Sequence, residues 1–499
     1  MFGLAIPVLW PVFPPLTDLP GHIGRYFIVF DIRSSAYLQK YFAIDWRLIP
    51  NLGVDLIVWS LAPLMGIEPA AKFAVMLIPV ITGAGFLLIA REYHGRVPVT
   101  AIFALPLAYH YAFQFGFVNY SLSMALAMLA LGLWERLGRL KRKRLRAALF
   151  VFIAPAIWLC HIYGWGVLGL LVFTSGATAR VIDGDRWWRA VWHSALACLP
   201  LTIPVVLVVL WRDGGTGGIF GWFDWLTSIK WLVTVLRDRW QLFDLASGII
   251  VYVLAFAPFV LRRWLHVDVR LAVPAFVLWV FALLLPNYIS GSAFAGVRLI
   301  PFALALSILA IKPAPAMPER AKRLIGMAGL IFFAARMTAH TISYWIADAR
   351  NRGNLAALQK VERGARVVAL VGQRCGDWAT PRHLHLSELA TSRREAFVNG
   401  HWEIPGGQVL RIKYRAGAPF VADGSQFVNV TNCDDRIGRI GTAIPRIPMN
   451  AFDYLWIIEV PSIEWPKDPQ LRPVWTNGHS VLYRISPSGR AAGVAGNAR

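Results

Sequence analysis

Charge is scarce in this 499-residue chain: Asp, Glu, Lys and Arg together make up 16% of it, and only 28 residues are acidic. A soluble chain is about 25% charged and about 45–50% apolar. A single soluble domain is therefore excluded, because so few charges cannot cover its surface. Cysteine is scarcer still, and four are too few for a disulfide framework. There is no repeat of fixed short period and no low-complexity array. The run Asp213-Gly-Gly-Thr-Gly-Gly lacks the Lys-Ser/Thr ending of a phosphate loop and reads as linker. Apolar residues are abundant: 57% of the chain is hydrophobic, which excludes disorder, and 22 Trp suit interfacial belts.

Crossing the hydrocarbon takes about 20 apolar residues, with about 17–25 usual. Eleven spans are expected on that basis, at 2–16, 70–90, 98–113, 117–134, 147–162, 164–182, 190–211, 246–262, 271–287, 294–311 and 324–346. The first carries Pro7 and Pro11, and no basic stretch precedes it, so it reads as a span and not as a cleaved signal.

The net charge of +22 would suggest nucleic acid in a soluble protein. Here it reads as a topology signal. The run Arg136–Arg146 holds seven Lys/Arg, and the segments 91–97, 183–189, 263–270 and 312–323 are basic as well, whereas 114–116, 163 and 288–293 have no basic residue. The basic face is cytoplasmic by the positive-inside rule. With an inside N-terminus, 17–69 and 212–245 become long outer segments. The apolar stretch Asn51–Gly66, with Asp55 and Pro63, then reads as a helix on the outer surface instead of a span.

From 347 to 499 the pattern becomes mixed in charge, with turn signals at Pro405-Gly406-Gly407 and Asp423-Gly424. Strands are expected at 366–371, 454–460 and 480–485, and a helix around 386–397. The fold class is thus an α-helical polytopic membrane protein, with a bundle over 1–346 and a small α/β domain over 347–499 outside the membrane. A bacterial inner membrane would place that domain in the periplasm. There Cys375 and Cys433 have the choice of pairing or staying free, while Cys160 and Cys198 read as membrane-buried.

Polar residues gather at the outer ends of the spans: Asp18, His22 and Arg25; His110, Gln114 and Asn119; His161 and Tyr163; Arg298; Arg336 and His340. Ionisable residues at membrane depth are costly and face a bundle interior or a cavity, so one outward cavity is expected. Each has a structural alternative. Asp18 can cap a helix starting at Leu19, His110 and Asn119 can stitch helices, and Arg298 can snorkel. Lys230, Arg237 and Arg239 can form a solvated stripe. His383 and His385 are a weak metal pair without a third ligand nearby.

An acid at the cavity lip with cations deeper in suits an attacked hydroxyl and a phosphate-bearing lipid. Glycosyl transfer fits: Asp18 takes the hydroxyl proton and Arg298 supports the leaving phosphate. The short first span, the Asp directly after it, the long first outer loop, the bundle and the outer C-terminal domain together resemble the GT-C superfamily of membrane glycosyltransferases. The resemblance implies a polyprenyl-phosphate sugar donor, an extracytoplasmic glycan, lipid or protein acceptor, inversion at the sugar carbon, and Asp18 as base. From the cavity reading, not the resemblance, His22, Arg25, Asp55, His110, Asn119, His161, Lys230, Arg237 and Arg298 are the expected substrate-binding residues. The pattern departs where many members pair two acids or an acid with His, since Leu19 and Pro20 follow Asp18. Divalent metal use and the alternatives Asp31, Asp45 and Asp55 stay open. The rival reading is a lipid or glycolipid transporter, which usually shows repeated halves.

Overall fold

The computed structural model describes residues 1–210, 218–289, 292–404, 406–431 and 437–486. Cys433, Pro405 and most of the glycine-rich run from Asp213 lie outside the described residues. The chain is mostly helical, with several apolar helices followed by a C-terminal sheet.

Most expected spans appear as helices, but fewer than eleven are long and apolar enough to cross a membrane by length and composition. Four described helices pass: Ile67–His94, Ile162–Ile182, Gln241–Val260 and Glu319–Lys360. Trp187–Ala197 and Leu199–Leu210, bent by 45°, make a fifth if they are one span. Val269–Leu284 has 16 residues, about 24 Å at 1.5 Å per residue, which is short of the hydrocarbon thickness. The expected first span holds only a 3-10 turn Phe2–Leu4 and the helix Ile6–Leu9. Pro7, Pro11, Pro14 and Pro15 leave too few backbone donors to continue it. The span expected at 98–113 is a 3-10 run, Val99–Tyr109, with Pro98 before it and Pro106 inside it, followed by Tyr111–Gln114.

The apolar stretch at 51–66 is a 13-residue helix, Gly53–Met65, too short to span. It turns sharply into Ile67–His94 at Gly66, whose φ of 84° favours glycine. Gly53 starts against Cys160, where an added Cβ would lie 2.3 Å from the Sγ atom. Segments expected on one face meet one another. Leu265–Val267 pairs with Ile311–Pro313 at one end of the bundle, and Ile219–Phe220 with Tyr288–Ile289 at the other.

The C-terminal sheet runs Phe427–Asn429, Arg366–Gln373, Tyr454–Ile458, Val481–Ile485, Leu471–Thr476, with Phe397–Val398 also beside Arg366–Gln373. The first, second and third of these strands are parallel, and the last two run antiparallel. The helix expected near 386–397 is a 3-10 turn, Leu386–Glu388, and a short helix, Leu389–Arg394. Cys375 is disulfide-bonded, while Cys160 and Cys198 are free.

The expected boundary at 346/347 falls inside one continuous helix, Glu319–Leu355. The sheet shares its core with the first loop: Ile28, Leu38, Tyr41 and Phe42 pack with Val368, Leu370, Leu455 and Ile457. Phe42–Ile44 pairs antiparallel with Leu410–Ile412. Ser35 donates to Glu395 at 2.5 Å, and Arg393 meets Glu68 at 2.8 Å. First loop and C-terminal region are thus one packed layer over the bundle.

A buried ionic knot fastens that layer. Asp238, from the 212–245 segment, accepts from His340 Nδ1 at 2.9 Å, from Ser343 at 3.0 Å and from Arg382. Arg382 also donates to the carbonyl of Pro15 at 2.6 Å and to Gln114 at 3.0 Å. Arg336 donates to Asp244 at 2.7 Å, and Trp378 donates to the other Asp244 oxygen at 2.8 Å. Burial would raise the Asp238 carboxyl, but Arg382 and then His340 hold it below its ordinary value. Removing one member strands its buried partners. Asp238→Ala is therefore expected to lower stability by about 3–5 kcal/mol, read as thermal unfolding of the detergent-solubilised chain, with a far smaller loss for the exposed Asp185→Ala.

Candidate active site

Asp18 occupies the capping position of the helix Leu19–Asp31, yet its side chain makes no capping hydrogen bond. The carboxylate is left for other work. Its backbone N–H donates to the carbonyl of Phe115 at 2.9 Å, which seats the acid on the 114–116 hairpin tip. Gly116, at φ 90°, lets the two segments meet: a Cβ there would lie 2.9 Å from the Asp18 nitrogen. The Asp18 side chain is 19% exposed, and His385 Nε2 lies 3.7 Å from Oδ1. Burial pushes its carboxyl up to about 7, opposed chiefly by His385.

The other first-loop acids are occupied. Asp45 is paired with Arg47 at 3.2 Å and Arg411 at 3.1 Å. Asp31 accepts from Ser34 at 2.5 Å. Asp55 is buried against Arg25 at 2.7 Å and accepts from Asn119 at 2.9 Å. Asn119 further donates to the carbonyl of Asn51 at 2.9 Å and accepts from the N–H of Val54 at 2.7 Å. Asp55 and Asn119, expected to bind substrate, thus direct their polar atoms at each other, at Arg25 and at backbone, while Arg25, also expected there, gives one guanidinium nitrogen to Asp55 and keeps a buried Nε without a partner. They brace the start of the Gly53–Met65 helix.

Arg298 stands in contrast. It is buried, 6% exposed, and among the described residues its guanidinium makes no ion pair or hydrogen bond. It lies 4.2 Å over the Phe117 ring and 5.4 Å over the Tyr120 ring. The Tyr163 hydroxyl, close enough to feel its charge, is also buried without a partner. Asp18 and Arg298 lie within range of each other's charge. A buried cation held by aromatic faces, with no carboxylate at ion-pair distance among the described residues, is a place for an anion.

The imidazoles divide by role. His110 and His161 each cap a helix, accepting at Nδ1 from the N–H of Phe113 at 3.3 Å and of Tyr163 at 3.2 Å. His161 also stands near Tyr120, at 5.6 Å between rings. His22 packs on Trp402 at 5.2 Å, its Nδ1 is unpartnered, and burial followed by Arg25 keeps it well below the usual range, hence neutral. Arg237 is not free for a ligand: it donates to the carbonyls of Trp378 at 2.7 Å and Asp377 at 2.8 Å. Lys230 is exposed on the helix Trp225–Val233.

Residues from the C-terminal region complete the site: sequence reasoning weighed His385 only as a weak metal ligand and missed Glu388 and Trp402. His385 reaches Asp18, Glu388 holds His385 at 3.2 Å, and Trp402 stacks on both His22 and His385. His383, weighed as a metal partner of His385, bonds the carbonyl of Gly372 at 3.0 Å instead. Among the described residues no group of three or more His, Cys, Asp or Glu is set to hold a metal ion. A groove of about 500 Å³ along Phe27, Phe30, Ala62 and Ile67 includes neither Asp18 nor Arg298.

An unpaired buried charge opposes folding, since removing an ion from water costs several kcal/mol after relaxation. Arg298→Met keeps much of the volume and removes the charge. It is expected to raise stability by about 1 kcal/mol or more, offset in part by a lost cation–π contact of up to about 2 kcal/mol. Thermal unfolding of variant against wild type checks it, and a marked fall in melting temperature would mean that Arg298 is a paired structural residue.

No family model matches the sequence, and no curated protein sequence is similar to it. Among solved structures, the chain is similar to the crystal structure of ArnT from Cupriavidus metallidurans in the apo state. The likeness covers 92% of each chain, at 13% identity and a TM-score of 0.43.

Proposed function

We propose that this chain is a membrane glycosyltransferase, resembling the GT-C superfamily, that moves a sugar from a polyprenyl-phosphate donor to a hydroxyl of an extracytoplasmic acceptor. The observation that carries the reading is the presence, within range of each other's charge, of Asp18, an acid free of any cation salt bridge except His385, and Arg298, a buried cation with no ion pair among the described residues. One suits a base, the other a phosphate.

In this reading Arg298 binds the donor phosphate and shares its charge as the bond from the sugar carbon to the phosphate oxygen breaks, the electron pair leaving with that oxygen. Asp18 takes the acceptor hydroxyl proton while the hydroxyl oxygen bonds to the sugar carbon from the opposite face, giving inversion. Phe117 and Tyr120 exclude water from the cation, which strengthens its hold on an anion. Arg25, Asp55 and Asn119 act by fixing the first loop, and His110 and His161 by capping the hairpins beside Arg298.

The basic loops support a cytoplasmic N-terminus, and with it a site on the outer face of a bacterial inner membrane and 347–499 as a periplasmic portion. The transporter reading has no contact of its own in its favour.

Asp18→Asn is expected to cut sugar transfer by about 10²–10⁴-fold while leaving the folded fraction unchanged, measured in membranes carrying wild type or variant. Retained turnover would remove Asp18 as the base. A base must be ionised, so wild-type kcat/KM is expected to rise with pH through about 7, where Asp18 loses its proton, and then to level. Arg298→Ala is expected to raise the donor KM; an unchanged donor affinity would take Arg298 out of the phosphate site.

A further inference from the structure

The Asp18 carboxylate lies within ion-pair distance of an imidazole from the C-terminal region. His385 lies between two carboxylates: its Nδ1 is 3.2 Å from Glu388 Oε1, and its Nε2 is 3.7 Å from Asp18 Oδ1. Glu388 is fully buried and is itself oriented, accepting from Ser387 Oγ at 3.0 Å. Gly400 makes room for it, because a Cβ there would fall 1.6 Å from Glu388 Oε1. The imidazole is clamped by the Trp402 ring at 4.6 Å and the Phe427 ring at 5.6 Å.

We propose that His385, set between Glu388 and Asp18, is a positioning residue that orients the Asp18 carboxylate and supports its negative charge. The proposal rests on Asp18 being the base. His385 touches no reacting atom in this scheme and acts only through Asp18.

The surrounding charges fit that role. Glu388, Asp18 and Asp423 lie within charge range of His385, while His22 and His401 are neutral neighbours and Arg298 lies within charge range of Asp18. Burial would lower His385, but the Glu388 hydrogen bond and charge, with Asp18, push it up to about 9. At neutral pH the imidazole is therefore charged and Asp18, near 7, is held at the edge of ionisation. An acid so poised is a competent base only while the imidazolium stays beside it.

The test needs no substrate. The full chain in lipid nanodiscs is titrated by infrared spectroscopy, and the Asp18 carboxyl band is assigned by its loss in Asp18→Asn. In His385→Gln the Asp18 midpoint is expected to move up by at least about one pH unit. An unchanged midpoint overturns the proposal, and a merely structural His385 would lower the folded fraction without moving it. If His385→Gln does not fold, the reciprocal measurement decides, because coupling between two sites is mutual. His385, followed by NMR of histidine-labelled protein, should titrate lower in Asp18→Asn and in Glu388→Gln than in wild type; equal midpoints would overturn the idea. The two readings fail separately. Turnover retained in Asp18→Asn sinks the base, whereas an immobile Asp18 midpoint sinks only the His385 support.

Discussion

The architecture depends on one buried carboxylate. Asp238 sits where the 212–245 segment, the long helix Glu319–Leu355 and the C-terminal strap 378–382 converge, and it accepts from His340, Ser343 and Arg382 at once. Through Arg382 the same knot grips the carbonyl of Pro15, three residues before Asp18, and Gln114, one side of the hairpin tip that seats Asp18. Tyr344 donates to that Gln114 oxygen as well, at 2.8 Å. Such a network is weak as a source of net stability but intolerant of partial loss, because each deletion leaves desolvated charges behind. It therefore specifies position more than it adds stability, and the position it specifies is that of the proposed base.

Arg298 follows the opposite rule. Where Asp238 is saturated with partners, Arg298 has aromatic faces and no hydrogen bond to protein among the described residues. Cation–π contacts compensate part of its desolvation but not all. Two buried charges in one molecule can thus serve different ends, and the difference is told by their hydrogen bonds and not by their burial. Arg25 and Asp55 belong with Asp238 by that criterion.

Much of this was legible in the sequence, in proportion to how local each signal is. Apolar runs located most helices. The basic loops excluded Asn51–Gly66 as a span, and the helix there is 13 residues long. The strands at 366–373, 454–458 and 481–485 lie where β-branched runs indicated. Hydropathy gave no warning that the helix breaks where Pro interrupts the backbone, as at 2–16 and 98–113, because it measures side chains and not backbone donors. The candidate site was half legible. Asp18 and Arg298 stood out as polar residues against apolar flanks. Whether Arg25, Asp55 and Asn119 face a ligand or one another is a matter of contacts between distant segments, which no local pattern records. Glu388 was hidden for the same reason, and His385, noticed only beside His383 as a weak metal pair, gave no local sign of its contact with Asp18.

The antiparallel pairing of Phe42–Ile44 with Leu410–Ile412 bears on how the molecule is assembled. A ribosome delivers the first loop some hundreds of residues before its partner strand. Until then the loop has no hydrogen-bonding partner for that edge, Arg382 is not present to hold Pro15, and Glu388 is not present to hold His385. Contacts of such sequence separation form late. The acid at the membrane surface is thus made first and seated last, so the chain has no completed site while its bundle is still being inserted.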